Sequence, residues 1–418
     1  MEQRWFILAD DLTGAADCAI AFARRRLPSK VIWGATRPEE HSDAIALAYN
    51  AATRELDAAA AARRHGDILR RIQQPGIRLF KKIDSTLRGH PAEEIAAMLD
   101  VIVAHEPEVR VVLAPSFPAT GRTVREGRVF VHGVPLPFTE YWPAGRDHEL
   151  ANLVNMLETA GVHARHAGLA TVRGEFSALS AVFAKVAGQP APVVVCDAEN
   201  DDDLERIAAA SLDDSGPTFC IGSAGFAHAL AQRFSRSCER RTTLHTCKPS
   251  IRGALVVVGS RTQASRAALA HLLTLANVES VSVDPSQLGG ELQSSEIAQF
   301  VGGSLARGID VVVDISPTAP SSGNPQLVAA LARLLAPAAR QASALVATGG
   351  ETAAALFERL GVDGLRLLDE IEPGIPLSLT LGEVSVPAVT KAGGFGNEEC
   401  LKRVVSRLRF IRQTGAVA

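Results

Sequence analysis

The 418-residue chain has no apolar run near the ~20 residues that span a bilayer, so no transmembrane helix is expected. It opens "MEQRWFILADD", without a basic stretch followed by a long apolar one. No secretory signal is expected, and a cytoplasmic setting is. An excess of one charge sign is also missing. The formal net charge is −3, which argues against a nucleic-acid surface or a polybasic membrane patch. The cysteines (Cys18, Cys196, Cys220, Cys238, Cys247 and Cys400) are scattered. They form no CxxC pair and keep no zinc-ligand spacing to histidine. Without an export signal they are expected to be reduced structural thiols. His41, His65, His105 and His166 are isolated and read as surface or core residues. GxxxxGK[ST] and a GxGxxG following a strand are both absent, which counts against a P-loop and against a dinucleotide-dependent dehydrogenase.

Apolar residues make up 47% of the chain, enough at this length for two domains that each bury a core. Apolar β-rich runs alternate with Ala-rich stretches of helical period. "RWFILADD" (4–11), "KVIWGA", "AIALAYN", "IRLFKKID" and "VRVVLAPSFP" read as strands. "GAADCAIAFARR" (14–25), "AAAAARRHGDILRRI" and "AEEIAAMLDVIVAH" read as helices. Such alternation predicts parallel sheets covered on both faces, an α/β fold. Residues 121–146, rich in Gly and Pro, break the rhythm and read as a hairpin or flap. A polar, basic stretch follows later. It divides the chain into a first domain at 1–236, a linker at 237–252 and a second domain at 253–418.

In parallel sheets, ligands gather at the carboxyl ends of strands. The first strand ends in two adjacent carboxylates, Asp10 and Asp11, followed by Thr13 and Gly14. A helix N-cap accounts for one of them. Two in a row repel unless a cation or hydroxyl donor lies between them. "FKKIDSTLRGH" (80–90) ends another strand with Lys81, Lys82, Asp84, Ser85, Thr86 and Arg88. Strand alternation puts Lys82 and Asp84 on one side. A lysine there can neutralise a substrate carboxylate, and an aspartate can accept a proton from an alcohol. Arg54, after "ALAYNAAT", is a candidate for bidentate carboxylate binding. Ser116, Thr120 and Arg122 close a further strand and are candidates to line the same site.

In the second half, "LVVVGSRT" ends at Gly259 and Ser260, "LVATGGETAAALFERLG" turns at Thr348 to Thr352, and "TKAGGFGNEE" (390–399) follows Lys391. A strand, a glycine turn and a helix N-terminus let backbone N–H groups approach a phosphate. Two such turns point to a nucleotide polyphosphate.

Taken in order, "ADDLTGAAD", "KKIDSTLRG", "APSFPATGRTV", "GSAG", "TGGETA" and "KAGGFGNEE" resemble the four-carbon acid-sugar kinases from about residue 6 to about residue 400. These enzymes phosphorylate threonate, erythronate or 3-oxo-tetronate at O4 with ATP. The resemblance implies two α/β domains with the active site in the cleft between them, ATP and Mg²⁺ as cofactors, and domain closure during turnover. It implies that Asp10, Asp11, Arg54, Lys81, Lys82, Ile83, Asp84 and Ser85 hold the acid, with Asp84 or Asp11 as the catalytic base. Ser260, Gly349, Gly350, Glu351, Thr352, Gly393 and Gly394 would hold the nucleotide. The metal ligands are not assigned. The partners implied are the sugar acid and ATP, with a homodimer as the candidate assembly. One motif departs from the family: where SGNFG is common, this chain reads AGGFG, so Gly394 replaces an amide side chain. "KKIDSTLRG" resembles the threonate branch, making D-threonate the first substrate choice ahead of D-erythronate, L-threonate and 3-oxo-tetronate. A non-catalytic sensor of sugar acid and nucleotide is the competing class, which a DNA-binding helix-turn-helix would favour; none is found.

Overall fold

The computed structural model describes residues 3–72, 76–184, 192–213, 216–236, 238, 246–284, 291–315 and 325–417. The chain divides into two compact units, Met1–Ser29 with Arg37–Arg241, and Lys30–Thr36 with Thr242–Ala418. The expected boundary is therefore corrected in one place. "KVIWGA" (30–35), read as part of the first domain, lies wholly in the second unit. Half of the expected linker, 237 and 239–245, lies outside the described residues.

The first unit carries β1 (Arg4–Ala9), β3 (Ala46–Asn50), β4 (Ile77–Lys82), β5 (Arg110–Ala114), β9 (Ala164–Ala167), β10 (Val193–Cys196) and β11 (Thr218–Gly222), with β2 (Ser29–Trp33) leaving it after Ser29. The order is β3-β1-β4-β11-β5-β10-β9, and every pairing is parallel. The strands read apolar throughout because both faces are covered. Helix α1 (Leu12–Ala23) begins at the end of β1, with Asp11 as its N-cap accepting from the Gly14 amide. Helices α2 (Ala58–Ile72) and α3 (Pro91–His105) pack together and flank β4 in sequence. Lys82 approaches α1 at Gly14, whereas its neighbour Lys81 bonds His65 of α2 and Glu94 of α3. Adjacent strand residues point to opposite faces, so α1 covers one face and α2 and α3 the other. The chain thus leaves β1 and β4, which are neighbours, toward opposite faces. That divergence opens a crevice at their carboxyl ends. The expected flap is a small antiparallel sheet of β6 (Arg122–Arg125), β7 (Arg128–Val131) and β8 (Val134–Pro135).

The second unit has parallel strands in the order β13-β14-β12-β15-β18: β12 (Leu255–Val258), β13 (Val278–Val283), β14 (Asp310–Ile315), β15 (Leu345–Thr348) and β18 (Pro387–Lys391). An antiparallel extension, not expected from the alternation, completes the sheet. It is a long hairpin of β16 (Val362–Glu372) and β17 (Ile375–Gly382), onto which β2 pairs at residues 30–32. Its turn is Pro373–Gly374 with Gly374 at φ +80°, a two-residue turn that needs the glycine. Helix Cys400–Thr414 packs over the core and is pinned by Asp310. That buried carboxylate accepts from the Ala254 amide at 2.8 Å, Arg409 at 2.6 Å and Arg412 at 2.9 Å.

Removing it would leave two cations and an amide without their acceptor. We expect Asp310→Ala to lower stability by about 3 kcal/mol. Urea denaturation checks this, and a change within about 0.5 kcal/mol, typical of neutral surface sites, would show that the carboxylate is incidental.

Candidate functional site

In the first unit, β1 and β4 lie in register, with Ala9 opposite Lys82. Asp10 and Asp11 therefore emerge beside the residue 82–85 turn. Between them stands Arg54, delivered by the turn after β3. Its Nε donates to Asp10 Oδ2 at 2.7 Å and its Nη2 to Asp10 Oδ1 at 3.0 Å. Nη2 also reaches Asp11 Oδ1 at 2.9 Å, and Nη1 lies 2.9 Å from Asp11 Oδ2. Asp84 Oδ1 is 3.8 Å from Nη2. One guanidinium thus reconciles three carboxylates. Thr13 adds a hydroxyl donor to Asp11 at 2.5 Å. Burial works to raise the Asp10 pKa, but Arg54, with Lys81 and Lys82, overrides it and brings the group down to about 2.

Asp84 is held mainly by Arg88, whose Nε and Nη2 donate to its two oxygens at 2.8 Å each, and by the Thr86 hydroxyl at 2.5 Å. Burial opposes ionisation here too, yet Arg88 and Arg54 keep the carboxyl well below its usual range. Ser85 is buried in the same turn. Ile83 is a core side chain whose amide bonds Gly222 O at 2.9 Å, so it ties the turn to β11.

Lys82 differs from these groups. Its side chain is buried, and among the described residues its ammonium donates no hydrogen bond and has no ion-pair partner within 4 Å. Burial alone would lower its pKa, but the neighbouring Cys18 sulfur, followed by the Asp11, Asp10 and Asp84 carboxylates, raises it above the ordinary lysine value. A Cβ on Gly14 would stand 2.7 Å from Lys82 Nζ and 2.6 Å from Asp11 Oδ1. Glycine at this helix start is therefore what lets the cation lie beside the carboxylate. The result is a charged lysine with unused donor capacity, facing three carboxylates at the switch point of a parallel sheet.

Two expectations are corrected. Lys81 does not face this crevice. It is fully buried on the opposite face, where Glu94 and His65 take its bonds. Arg54 presents no unoccupied fork, because Asp10 and Asp11 engage all three of its nitrogens. Ser116 and Thr120 bond backbone carbonyls, at Ala198 and Phe117. Three arginines act on the 84–88 turn: Arg122, a lining candidate from the sequence, and Arg88 and Arg146, which were given no role there. Arg88 clamps Asp84; Arg122, buried and bonded to Tyr141, interacts with Asp84. Arg146 donates to Leu87 O at 2.8 Å. Arg88 was legible in "DSTLR"; Arg146 lies 59 residues from its partner and had no local signal.

In the second unit, Val258, Thr348 and Lys391 end neighbouring strands in register. This gathers Ser260, Gly349–Thr352 and Gly393 into one row. Ser260 N donates to Thr348 Oγ1 at 3.3 Å, and Gly349 N to Lys391 O at 2.8 Å. Thr262, the N-cap of helix Gln263–Leu272, donates to Gly393 O at 2.6 Å. A Cβ on Gly393 would lie 2.1 Å from Ser260 Oγ, and one on Gly259 1.9 Å from Thr352 Oγ1, so both glycines permit backbone contact that no other residue could. Gly349 (φ +95°) caps helix Gly350–Arg359 without a side-chain hydrogen bond, and Glu351 stands exposed in that first turn. Gly394 follows Gly393 in the same turn. A helix N-terminus beside glycine turns suits phosphate oxygens.

The family model of a sugar-binding N-terminal domain matches residues 5–230, and that of a nucleotide-binding C-terminal domain matches residues 255–401. The chain belongs to the four-carbon acid-sugar kinase family. A D-threonate kinase of Cupriavidus necator is 37% identical, over 95% of this chain and 96% of its own. A D-threonate kinase of Bordetella bronchiseptica is 32% identical over 98% of each. A solved Salmonella typhimurium LT2 structure, 22% identical, shares the fold with a TM-score of 0.77, covering 96% of this chain and 98% of its own.

The Arg54 cluster sets a pH dependence. The folded-state pKa of Asp10 lies below its ordinary 3.8, so its contribution to stability is full above that value and is lost as pH falls toward about 2. In carboxyl NMR, Asp10 should remain ionised through pH 3.8 and titrate near 2. Titration at the ordinary value would mean that Arg54 does not hold it in solution.

Proposed function

We propose that this protein is an ATP-dependent kinase that phosphorylates O4 of a four-carbon sugar acid, with D-threonate as its substrate. The reading is carried by the uncommitted Lys82 ammonium beside Asp11 at the carboxyl end of a parallel sheet. Likeness to D-threonate kinases along almost the whole chain supports the choice of acid.

The acid's carboxylate is assigned to Lys82, whose charge persists despite burial. Its hydroxyls fall to Asp11 and Ser85. Arg54 organises Asp10 and Asp11 rather than binding the acid directly. Asp11 is the proton acceptor in this reading, because Arg88 and Arg54 hold the Asp84 carboxyl well below its usual range, which makes it a poor base. Ser260, the Gly349–Thr352 turn and the Gly393–Gly394 turn are assigned to the nucleotide phosphates. ATP supplies the phosphoryl group, and Mg²⁺ arriving with it neutralises phosphate charge.

A coupled ADP-release assay across D-threonate, L-threonate, D-erythronate and 3-oxo-tetronate should show D-threonate with the highest kcat/KM. No stimulation by any of them would refute the kinase reading, and a different best acid would refute the substrate. Variants divide the roles. Lys82→Ala should raise KM for the acid about tenfold, the worth of one charged hydrogen bond. Asp11→Asn should lower kcat about a hundredfold, with Asp84→Asn acting mainly on KM. A kcat that collapses in Asp84→Asn and survives in Asp11→Asn would transfer the base to Asp84.

A further inference from the structure

Behind the crevice, on the face covered by α2 and α3, lies a closed polar network that the proposed chemistry does not use. Lys81, His65 and Glu94 have side chains at most 2% exposed. Lys81 Nζ lies 2.6 Å from Glu94 Oε2 and 2.8 Å from His65 Nε2. An ammonium can only donate, so His65 accepts at Nε2 and carries its proton on Nδ1, which points at Ala61 O at 3.1 Å. Burial and the adjacent Lys81 hold the His65 pKa well below its usual value, consistent with that neutral form. The other Glu94 oxygen accepts from the Thr53 hydroxyl at 2.7 Å. Thr53 is fully buried and immediately precedes Arg54.

The turn that bears Arg54 is not relaxed. Ala52 has φ +51°, a left-handed conformation costly for a residue with a side chain. Such a conformation persists only where its surroundings fix it. Here Asn50 Oδ1 accepts from Ala52 N at 2.8 Å, Thr53 N donates to Asp10 O at 2.9 Å, and the Thr53 side chain is tethered to Glu94. Two of these bonds are local or backbone in origin. The Thr53–Glu94 bond joins the turn to the far face of the sheet.

We propose that Thr53, held by the Glu94–Lys81 pair, is a positioning residue for the kinase reaction: its hydroxyl fixes the Arg54 turn, and through Arg54 sets the placement of Asp10 and Asp11. This rests on the functional reading above. The ion pair is buried because its task is to present Glu94 Oε1 at a fixed point, while Lys81 neutralises the carboxylate and His65 accepts a second N–H of the ammonium. Small displacements of catalytic groups cost rate steeply, so the loss of this bond falls on kcat more than on nucleotide affinity.

The test compares Thr53→Val, Thr53→Ala and Thr53→Ser in the full chain. Serine keeps the hydroxyl, and the other two remove it. With D-threonate, kcat should fall about tenfold or more in the valine and alanine variants and stay within about threefold of wild type in the serine variant, with KM for ATP unchanged. If valine matches wild type, or if serine is as impaired as alanine, the hydroxyl does not position the site. The alanine–serine pair carries the comparison should the valine variant not fold. A second readout does not depend on turnover. The Arg54 Nε–H signal in nitrogen-15 NMR should be sharp in wild type and Thr53→Ser and broadened in Thr53→Ala. A wild type inert toward every four-carbon acid would refute the functional reading, and the Arg54 signal would still decide this one, since no change in it among the variants overturns the inference.

Discussion

Three carboxylates at the ends of two neighbouring strands cannot share a dry crevice without a cation, and the first unit meets that requirement with Arg54. Its planar fork bonds Asp10 through two nitrogens and Asp11 through two contacts. A lysine could supply the charge but not this geometry. Arg54 bonds Asp10 and Asp11 and Arg88 bonds Asp84, so two arginines tie down three carboxylates, leave one negative charge over, and release Lys82 from structural pairing. Its charge is kept by the surrounding field rather than by a bond. The availability of Lys82 is therefore a consequence of where two arginines were spent.

The sheet topology explains why these groups meet. Chain exits to opposite faces leave the ends of β1 and β4 uncovered, and their register places Asp10 next to the turn that follows Lys82. Gly14 then admits Lys82 to the first turn of α1. Gly89, at φ +76°, does similar work on the other side: a Cβ there would sit 3.3 Å from Asp10 Oδ2. The two glycines of "DLTG" and "TLRG" are thus close-approach residues on either side of one carboxylate cluster.

Much of this was legible from local pattern. The strand–helix alternation, the strand-end location of Asp10–Asp11 and the 82–85 turn, and the glycine turns of the second half all follow from period and turn chemistry. The misreadings concern what local pattern does not encode. Lys81 and Lys82 are adjacent and alike in type, and only strand alternation separates them; that rule, applied to Lys82 and Asp84, should also have excluded Lys81. Arg54 was read as a fork open to a ligand because its protein partners stand over forty residues away in sequence. The hairpin of β16 and β17 carried a usable signal in Pro373–Gly374. The pairing of β2 onto β16 joins residues about 330 positions apart and carried none.

Each unit also hides a lysine at the end of the strand before its candidate site, and the two are stabilised differently. Lys81 is neutralised by a carboxylate, so the pair can be rigid and carry no net charge. Lys391 is fully buried but donates to Ser265 Oγ and to the carbonyls of Ala392 and Gly393 at 3.2–3.3 Å, and burial lowers its pKa. Drawing two successive carbonyls toward one ammonium turns that stretch of backbone inward at the carbonyl side, and Thr262 and Ser265 add their hydroxyls to Gly393 O. The positive charge is solvated rather than cancelled, so it still contributes to the potential at the glycine turn. A buried cation left uncancelled beneath a glycine turn favours an anion above it. In the first unit the corresponding lysine is cancelled, and the charge offered to a ligand comes from Lys82 instead.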